Sequence, residues 1–308
     1  MKRPIIIDTD PGIDDAIAIA IALASEELDV KLITTVNGNV DIHNVTKNAL
    51  KLLAFLNYST PVAMGAKRPL VSEFINASQV HGETGMEGYI FPKADTSNLL
   101  EESAVSAMYR TIMESDEKIT LVPIGPLTNI AILFVTYPEV MDKVQEIVLM
   151  GGAIGRGNAG IYQEFNFRCD PEASKIVIES KVPKVMCTLD IGLKIPIFKE
   201  EIESIRQMNE LGEMFFGLFQ RYRSGSFDNG LRMFDSCAIS YLLKPEMYKV
   251  KDCFVGIETK GEFTYGASCV DINGILKREP NAKVTLDVDV EMFKNWFKNS
   301  IKTWKKGL

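Results

Sequence analysis

Apolar residues along this chain fall into short runs, and each run stops at polar or glycine-rich residues before a helical pattern begins. The runs Ile5–Asp8, Val30–Val36, Ile119–Ile124, Glu146–Met150 and Val185–Leu189 read as buried strands. Helices are expected near Asp15–Ala24, Val45–Leu56, Glu101–Glu114, Thr128–Thr136 and Pro171–Glu179, the last with Asp170 as N-cap and Pro171 at its first position. Strand and helix in alternation predict an α/β fold: a mainly parallel open sheet with helices on both faces and a Rossmann-like core.

The segment Ala16–Ala22 alternates Ala with Ile and imitates a strand. Because every residue in it is apolar, the alternation defines no wet face, while alanine and the preceding Asp14 and Asp15 favour a helix. Residues Ala66–Asn98, rich in Gly, Ser and Thr, read as long loops over a site. Beyond about residue 195 the pattern predicts a helical stretch Lys199–Tyr222, a loop containing Gly225 and Gly230, a helix from about Asp235 to Leu243, and mixed strands to Val290. No Pro/Gly/Ser linker separates this part, so residues 1–308 are expected to form one domain with a helical and β C-terminal extension.

Composition narrows the function classes. With 308 residues, 46% apolar and 24% charged, the chain is long enough to bury a sizeable core and is neither disordered nor fibrous in character. A net charge of −7 supplies no positive field for a polyanion, so no nucleic-acid partner is expected. The apolar run after Pro4 is too short for an export signal, and Ala16–Ala24 falls well short of the roughly 20 residues of a membrane span. A soluble protein without a membrane partner is expected. Cys169, Cys187, Cys237, Cys253 and Cys269 are odd in number and lack a C-x-x-C pair. They suggest neither a disulfide framework nor a zinc knuckle, and read as small buried hydrophobes in a reducing cytoplasm. Only His43 and His81 are present, too few imidazoles for a multi-histidine metal site and a poor basis for a Ser/His/Asp triad.

Carboxylates therefore come first. In an open parallel sheet, ligands bind beyond the carboxyl ends of the strands. Those ends carry Asp8-Thr9-Asp10-Pro11-Gly12-Ile13-Asp14-Asp15, then Asn37-Gly38-Asn39, then Gly125-Pro126-Leu127-Thr128-Asn129, then Gly151-Gly152 followed by Asn158, Glu164, Asn166 and Asp170. Asp8, Asp10, Asp14 and Asp15 repel one another unless a cation, protons or a helix terminus compensates, and hard oxygen ligands suit Ca2+ or Mg2+. Helix capping accounts for Asp14 and Asp15 but leaves Asp10 unexplained. Asn158, Glu164 and Asn166 combine amides with a carboxylate, which matches the vicinal hydroxyls of a sugar; as residues of a glycine-rich loop they also serve simply as turn formers.

The stretch Ile5-Ile6-Ile7-Asp8-Thr9-Asp10-Pro11-Gly12-Ile13-Asp14-Asp15-Ala16 resembles the D-T-D-P-G-x-D-D signature of the Ca2+-dependent nucleoside hydrolases, often called inosine-uridine-preferring. Further matches follow in that family's order: Asn37-Gly38-Asn39, His81-Gly82-Glu83-Thr84-Gly85, Val122 to Asn129, Met150-Gly151-Gly152, Glu164-Phe165-Asn166 and Asp170-Pro171-Glu172-Ala173. The resemblance implies hydrolysis of the N-glycosidic bond of ribonucleosides, purine or pyrimidine, to ribose and free base, in a cytoplasmic homodimer or homotetramer serving nucleoside salvage. It implies that Asp10, Asp15 and Asp235 ligate Ca2+ with the main-chain carbonyl of Ile124, and that the ion also holds the ribose 2′- and 3′-hydroxyls and a water. By the same resemblance Asp14, Asn158, Glu164 and Asn166 bind sugar hydroxyls, Asn39 orients water or sugar, and Met150 lies near the ribose ring. Asp10 would accept a proton as water attacks. Negative charge around the ring suits the oxocarbenium-like transition state of such a cleavage.

One departure concerns the leaving base. Many relatives that prefer inosine carry His-Asp where this chain reads Phe234-Asp235, within Met233-Phe234-Asp235-Ser236. Three explanations stand: His81 or a tyrosine such as Tyr222, near Arg232 in sequence, supplies the proton; Phe234 stacks on the base; or activity on ordinary nucleosides is weak. Phe234 also reads as plain packing. His81 reads as a base contact, a lid residue or a loop histidine bonded to its neighbours, and His43 as structural. Two other functions fit parts of the pattern. One is a non-catalytic nucleoside or ribose-binding protein. The other is a haloacid-dehalogenase-type phosphatase, from Asp8-x-Asp10, whose motif this chain departs from at Gly12.

Overall fold

The computed structural model describes residues 2–222 and 230–307, so Gly225 of the expected loop lies outside the described residues. Among the described residues, nine strands join one sheet: β1 (Arg3–Thr9), β2 (Leu28–Thr35), β3 (Val62–Met64), β4 (Ile119–Pro123), β5 (Val144–Met150), β6 (Lys184–Cys187), β9 (Tyr248–Ile257), β10 (Ser268–Asp271) and β11 (Ala282–Val288). The remaining two, β7 (Pro196–Ile197) and β8 (Leu231–Arg232), form a small antiparallel pair. The order in the large sheet is β10-β9-β11-β6-β5-β4-β1-β2-β3. From β3 to β11 the neighbours are parallel, and β9 and β10 close the far edge antiparallel. The run β3-β2-β1-β4-β5-β6 reverses direction between β1 and β4, which is the switch point of a Rossmann-type sheet.

Alternation along the strands divides the core between two faces. Ile5 and Ile7 of β1 pack with the helices Ile13–Ala24, Ile42–Leu56, Glu210–Phe219, Ser236–Leu243 and Val290–Lys302. Ile6 points the other way, to the helices Ala104–Glu114, Thr128–Thr136 and Pro171–Glu179. Helix Ile13–Ala24 is buried from Ile13 to Leu23, which explains why its sequence shows no polar stripe: a helix covered on every side needs none. Its first turn holds Asp14 and Asp15. Asp170 caps the helix Pro171–Glu179 through the Ala173 N–H, as its sequence predicts.

Several boundaries differ from expectation for local reasons. The stretch Lys199–Tyr222 is two helices, Lys199–Arg206 and Glu210–Phe219, because Asn209 interrupts it and caps the second by accepting the Gly212 N–H at 3.0 Å. Asp41 and Ser103 act as N-caps, so the second and third expected helices begin at Ile42 and Ala104. Leu189 opens a short helix, Leu189–Leu193, instead of ending β6. Strand β3 is only three residues long and leaves no periodic signal. The helix Val290–Lys302 follows the Asp289 cap and buries Phe293, Phe297 and Ile301 at helical spacing. Four cysteines are buried, but Cys269 on the edge strand β10 is exposed. His43, in the first turn of its helix, is exposed. Among the described residues, no helix is long and apolar enough to cross a membrane.

Candidate active site

The carboxyl ends of β1, β2, β4 and β5 surround a cavity of about 290 Å3 at the switch point. Of the residues singled out from the sequence, Asp10, Asp14, Asp15, Asn39, His81, Ile124, Met150, Asn158, Glu164, Asn166, Tyr222, Phe234 and Asp235 line it, whereas Asp170 and Arg232 do not. Asp8 is the exception among the clustered acids. It lies behind the cavity, its Oδ1 accepting from Thr34 Oγ1 at 2.6 Å and from Asn129 Nδ2 at 2.8 Å, and its Oδ2 has no hydrogen-bond partner. Burial pushes its carboxyl up to about 7, against the pull of those two donors.

Asp10 is held by backbone. Its Oδ2 accepts the Asn39 N–H at 2.7 Å, and a Cβ on Gly38 or Gly125 would stand 2.0 Å or 2.6 Å from its carboxylate oxygens. Two chain turns thus close on the carboxylate at positions where no side chain fits. The Asn39 amide donates to the Asp10 carbonyl at 3.0 Å and to Asp15 Oδ2 at 3.2 Å. Asp15 also accepts from Thr9 Oγ1 at 2.6 Å and from the Gly12 N–H at 2.9 Å.

Asp14, Asp15 and Asp235 form a tight group, each offering an oxygen within 4.8 Å of the others, all three residues buried. Asp10 lines the same cavity but is outside this trio. Burial drives the carboxyls of Asp10 and Asp235 well above the usual carboxylate range, with Asp15 the first neighbour to reinforce Asp10 and Asp14 the first to reinforce Asp235. Asp15 is raised as well, again by burial, while its hydrogen bond with Asp235 works in the opposite direction. Such a cluster takes up protons or a cation. Oxygens bound to one Ca2+ at about 2.4 Å can be at most about 4.8 Å apart, so the group's span and its all-oxygen chemistry fit a hard divalent ion.

The opposite wall comes from the loop after β5. Glu164 is buried and caps the short helix Phe165–Cys169, accepting N–H groups from Gly152, Asn166 and Phe167 at 2.9, 2.9 and 3.2 Å. Burial outweighs these donors and raises its carboxyl to about 7. The Asn166 amide donates to the carbonyls of Ile124 and Met150 at 2.9 and 3.1 Å. Asn158 stands exposed at the rim, its Oδ1 accepting the Phe165 N–H at 2.9 Å. A carbonyl oxygen has two lone pairs, so the Asn166 bond leaves one on Ile124 available to another partner.

The third wall is the loop before and including the helix Ser78–His81, with Ile75, Ala77 and Val80 apolar and Tyr222 and Phe234 adding rings. His81 Nδ1 accepts the Ile13 N–H at 3.1 Å, and the ring meets Tyr222 edge to face at 5.6 Å. Phe234 does two things: it lines the cavity, and its ring packs on Gly192, where a Cβ would come within 2.2 Å. Sequence reasoning overlooked the contribution of Gly38 and Gly125 as walls for Asp10, although both sit in motifs it marked. Asn129 closes a motif it marked, but nothing local showed that its buried amide links Asp8, Thr35 and Ala66.

A buried acid cluster facing amides and aromatic rings at the switch point of an open sheet defines an enzyme of the α/β class built for a small polar substrate. The family model of the inosine-uridine preferring nucleoside hydrolases matches residues 5–295. The chain is 48% identical over 296 residues to the non-specific ribonucleoside hydrolase RihC of Klebsiella pneumoniae subsp. pneumoniae, covering 96% of this chain and 97% of that protein. It is 47% identical, with the same coverage, to RihC of Escherichia coli strain SMS-3-5. Among solved structures, an inosine-guanosine nucleoside hydrolase superposes with a TM-score of 0.92 at 29% identity, covering 99% of this chain and 100% of that one. A purine-preferring ribonucleoside hydrolase from Gardnerella vaginalis gives 0.88 at 27%, covering 97% and 98%. The chain belongs to the inosine-uridine preferring nucleoside hydrolases, enzymes that hydrolyse ribonucleosides to ribose and free base. The phosphatase and non-catalytic readings are set aside by this match.

Proposed function

We propose that this enzyme, a single domain acting in the cytoplasm as a homodimer or homotetramer, cleaves both purine and pyrimidine ribonucleosides with Ca2+ in the aspartate cluster. The reading rests chiefly on the group Asp14, Asp15 and Asp235, three buried acids within 4.8 Å whose mutual repulsion a divalent cation removes. Asp15 and Asp235 of that group, with Asp10 and the Ile124 carbonyl from the same cavity, would hold the ion, and Asp14 would turn its carboxylate to the sugar. When bound, Ca2+ supplies a positive centre that attracts the ribose 2′- and 3′-hydroxyls and makes a neighbouring water more acidic.

The remaining work falls to the protein. Asp10, fixed by the Asn39 N–H and hemmed in by Gly38 and Gly125, takes the proton of the attacking water. Asp14, Asn158, Glu164 and Asn166 bind the sugar hydroxyls, and the carboxylates among them, Asp14 and Glu164, place negative charge that favours the oxocarbenium-like ring as the C–N bond breaks. Asn39 orients water or sugar, and Met150 backs the ring. The base lies against Ile75, Val80 and Phe234. His81 donates a hydrogen bond to it from Nε2, since accepting the Ile13 N–H at Nδ1 keeps the neutral ring's proton there, and the departing base takes its proton from solvent. Breadth toward the base is supported by the relatives at 47–48% identity, which are described as non-specific.

A reducing-sugar assay on inosine, adenosine, guanosine, uridine and cytidine, with chelator and with Ca2+ restored, tests the whole reading. Release from both base classes, lost with chelator and regained with Ca2+, is expected. Retention of full rate in chelator, or in Asp10→Asn, would overturn it.

A further inference from the structure

The loop from Gly151 to Glu164 carries part of the proposed sugar site, yet its anchors come from distant parts of the chain. At its base, Ser268 Oγ accepts the Ala153 N–H at 2.8 Å and donates to the Ala153 carbonyl at 2.7 Å, a reciprocal pair with one residue. Ser268 begins β10, the antiparallel edge strand of the C-terminal extension. From the other side, the Asp190 carboxylate accepts the Ile154 and Gly155 N–H groups at 2.6 and 3.1 Å. Beyond these clamps the loop turns back on itself, the N–H groups of Asn158 and Ala159 both donating to the Gln163 carbonyl at 3.0 Å. The hairpin that ends in Ser268 holds this end as well, because Gln163 Nε2 donates to the Phe263 carbonyl at 2.9 Å.

The clamped residues abut the sugar-facing ones. Ala153 follows Gly152, whose N–H donates to Glu164, and Asn158 lies three residues after Gly155. We infer that Ser268 and Asp190 are positioning residues for ribose, fixing the loop so that Asn158 faces the cavity. This rests on the sugar roles proposed above. It also gives the C-terminal β extension a function: β9 and β10 do not touch the cavity themselves but hold one of its walls. A small displacement of groups that must meet a reacting ring is costly, on the order of 100-fold for about 1 Å.

The test compares Ser268→Ala with Ser268→Thr, which retains the hydroxyl, and with Asp190→Ala. Readouts are kcat/KM for uridine and inosine, ribose affinity by titration calorimetry in Ca2+, Ca2+ affinity, and Tm. Ser268→Ala and Asp190→Ala are expected to lower kcat/KM and weaken ribose binding by roughly 10- to 100-fold, by the same factor for both bases, with Ca2+ affinity unchanged. Ser268→Thr is expected to restore both. In an Asn158→Ala background, Ser268→Ala should cost much less, because the group it positions is already gone. Unchanged ribose affinity in Ser268→Ala overturns the proposal, and so does a loss that stays as large in the Asn158→Ala background. If the parent binds ribose but cleaves no nucleoside, the enzymatic roles fail and the ribose titrations still decide the positioning. A parent that binds no ribose overturns both.

Discussion

The Ile13 N–H donates to Nδ1 of His81 at 3.1 Å, joining the first turn of the helix that carries Asp14 and Asp15 to a ring from a loop 68 residues away. An imidazole that accepts at Nδ1 keeps its proton on Nε2, the form that donates a hydrogen bond to a departing base and stabilises the charge it develops. Removing it in His81→Phe is expected to lower kcat for inosine and uridine by about 10- to 100-fold, the worth of one hydrogen bond to a developing charge. With 4-nitrophenyl riboside, whose leaving group departs without a proton, the variant should keep most of its rate. Equal losses on both kinds of substrate would show that His81 acts on something other than the leaving group.

Gly38 is expected to be intolerant of the smallest side chain. In Gly38→Ala the new Cβ would stand 2.0 Å from Asp10 Oδ2 and 2.9 Å from Pro126 Cδ, so either Asp10 or the turn must move. A loss of kcat exceeding about 100-fold is expected, since Asp10 is then misplaced for the attacking water. Circular dichroism should report an unchanged fold. A variant with parental kcat would mean that Asp10 has more room than its two glycine walls suggest.

Ca2+ should stabilise the protein through the aspartate cluster. A ligand bound only by the folded state at 100 times its Kd contributes about 2.7 kcal/mol. For a chain of 308 residues that corresponds to a rise of about 4 °C in Tm on adding Ca2+ to chelated protein. Asp235→Asn is expected to abolish the rise. Without Ca2+ the same variant should be no less stable than the parent, because burial and the neighbouring Asp14 and Asp15 already disfavour the Asp235 charge. Thermal scans of both proteins, with chelator and with Ca2+, check both statements.

Away from the site, Lys184 provides a pH signature. It is 4% exposed, its Nζ donates to the carbonyls of Ser180 and Asn281, and burial lowers its ammonium to about 8 from the usual 10.5. Below about pH 8 both folded and unfolded chains hold this proton, and the folded state bears the full cost of the buried charge. Between about 8 and 10.5 the unfolded chain holds more protons, so this group's contribution to stability rises with pH. Denaturant titrations at pH 7, 8, 9 and 10 should therefore show the parent gaining stability relative to Lys184→Met. A constant gap across that range would contradict the lowered value.

The parts of the fold that were legible in the sequence share one property: their cause is local. The runs ending at Asp8, Ile124 and Met150 announce buried strands because apolar continuity is what a strand covered on both faces requires. The Pro171 helix was legible from its cap. By contrast, β3 is held by neighbours and not by its own three residues, and the break at Asn209 depends on a cap competing with a continuous apolar pattern. The site divides in the same way. Asp10, Asp14 and Asp15 cluster in the chain itself, whereas Ser268 carries no mark of its own and the motif that holds Asn129 does not tell what its side chain bonds, since their partners lie up to 121 residues distant.

By itself, then, the sequence determined the periodicity of strands and helices, the acid-rich first turn and the glycines that permit close backbone approach, because these depend on neighbours within a few residues. Tertiary structure alone decided that Asp235 completes the acid cluster, that Asn166 donates to the Ile124 carbonyl, that His81 is oriented by Ile13, and that a C-terminal edge strand steadies the loop carrying Asn158. Those relationships follow from the order in which the strands pair across the sheet. That order is selected by burying both faces at once, a condition on the whole chain that no short segment contains.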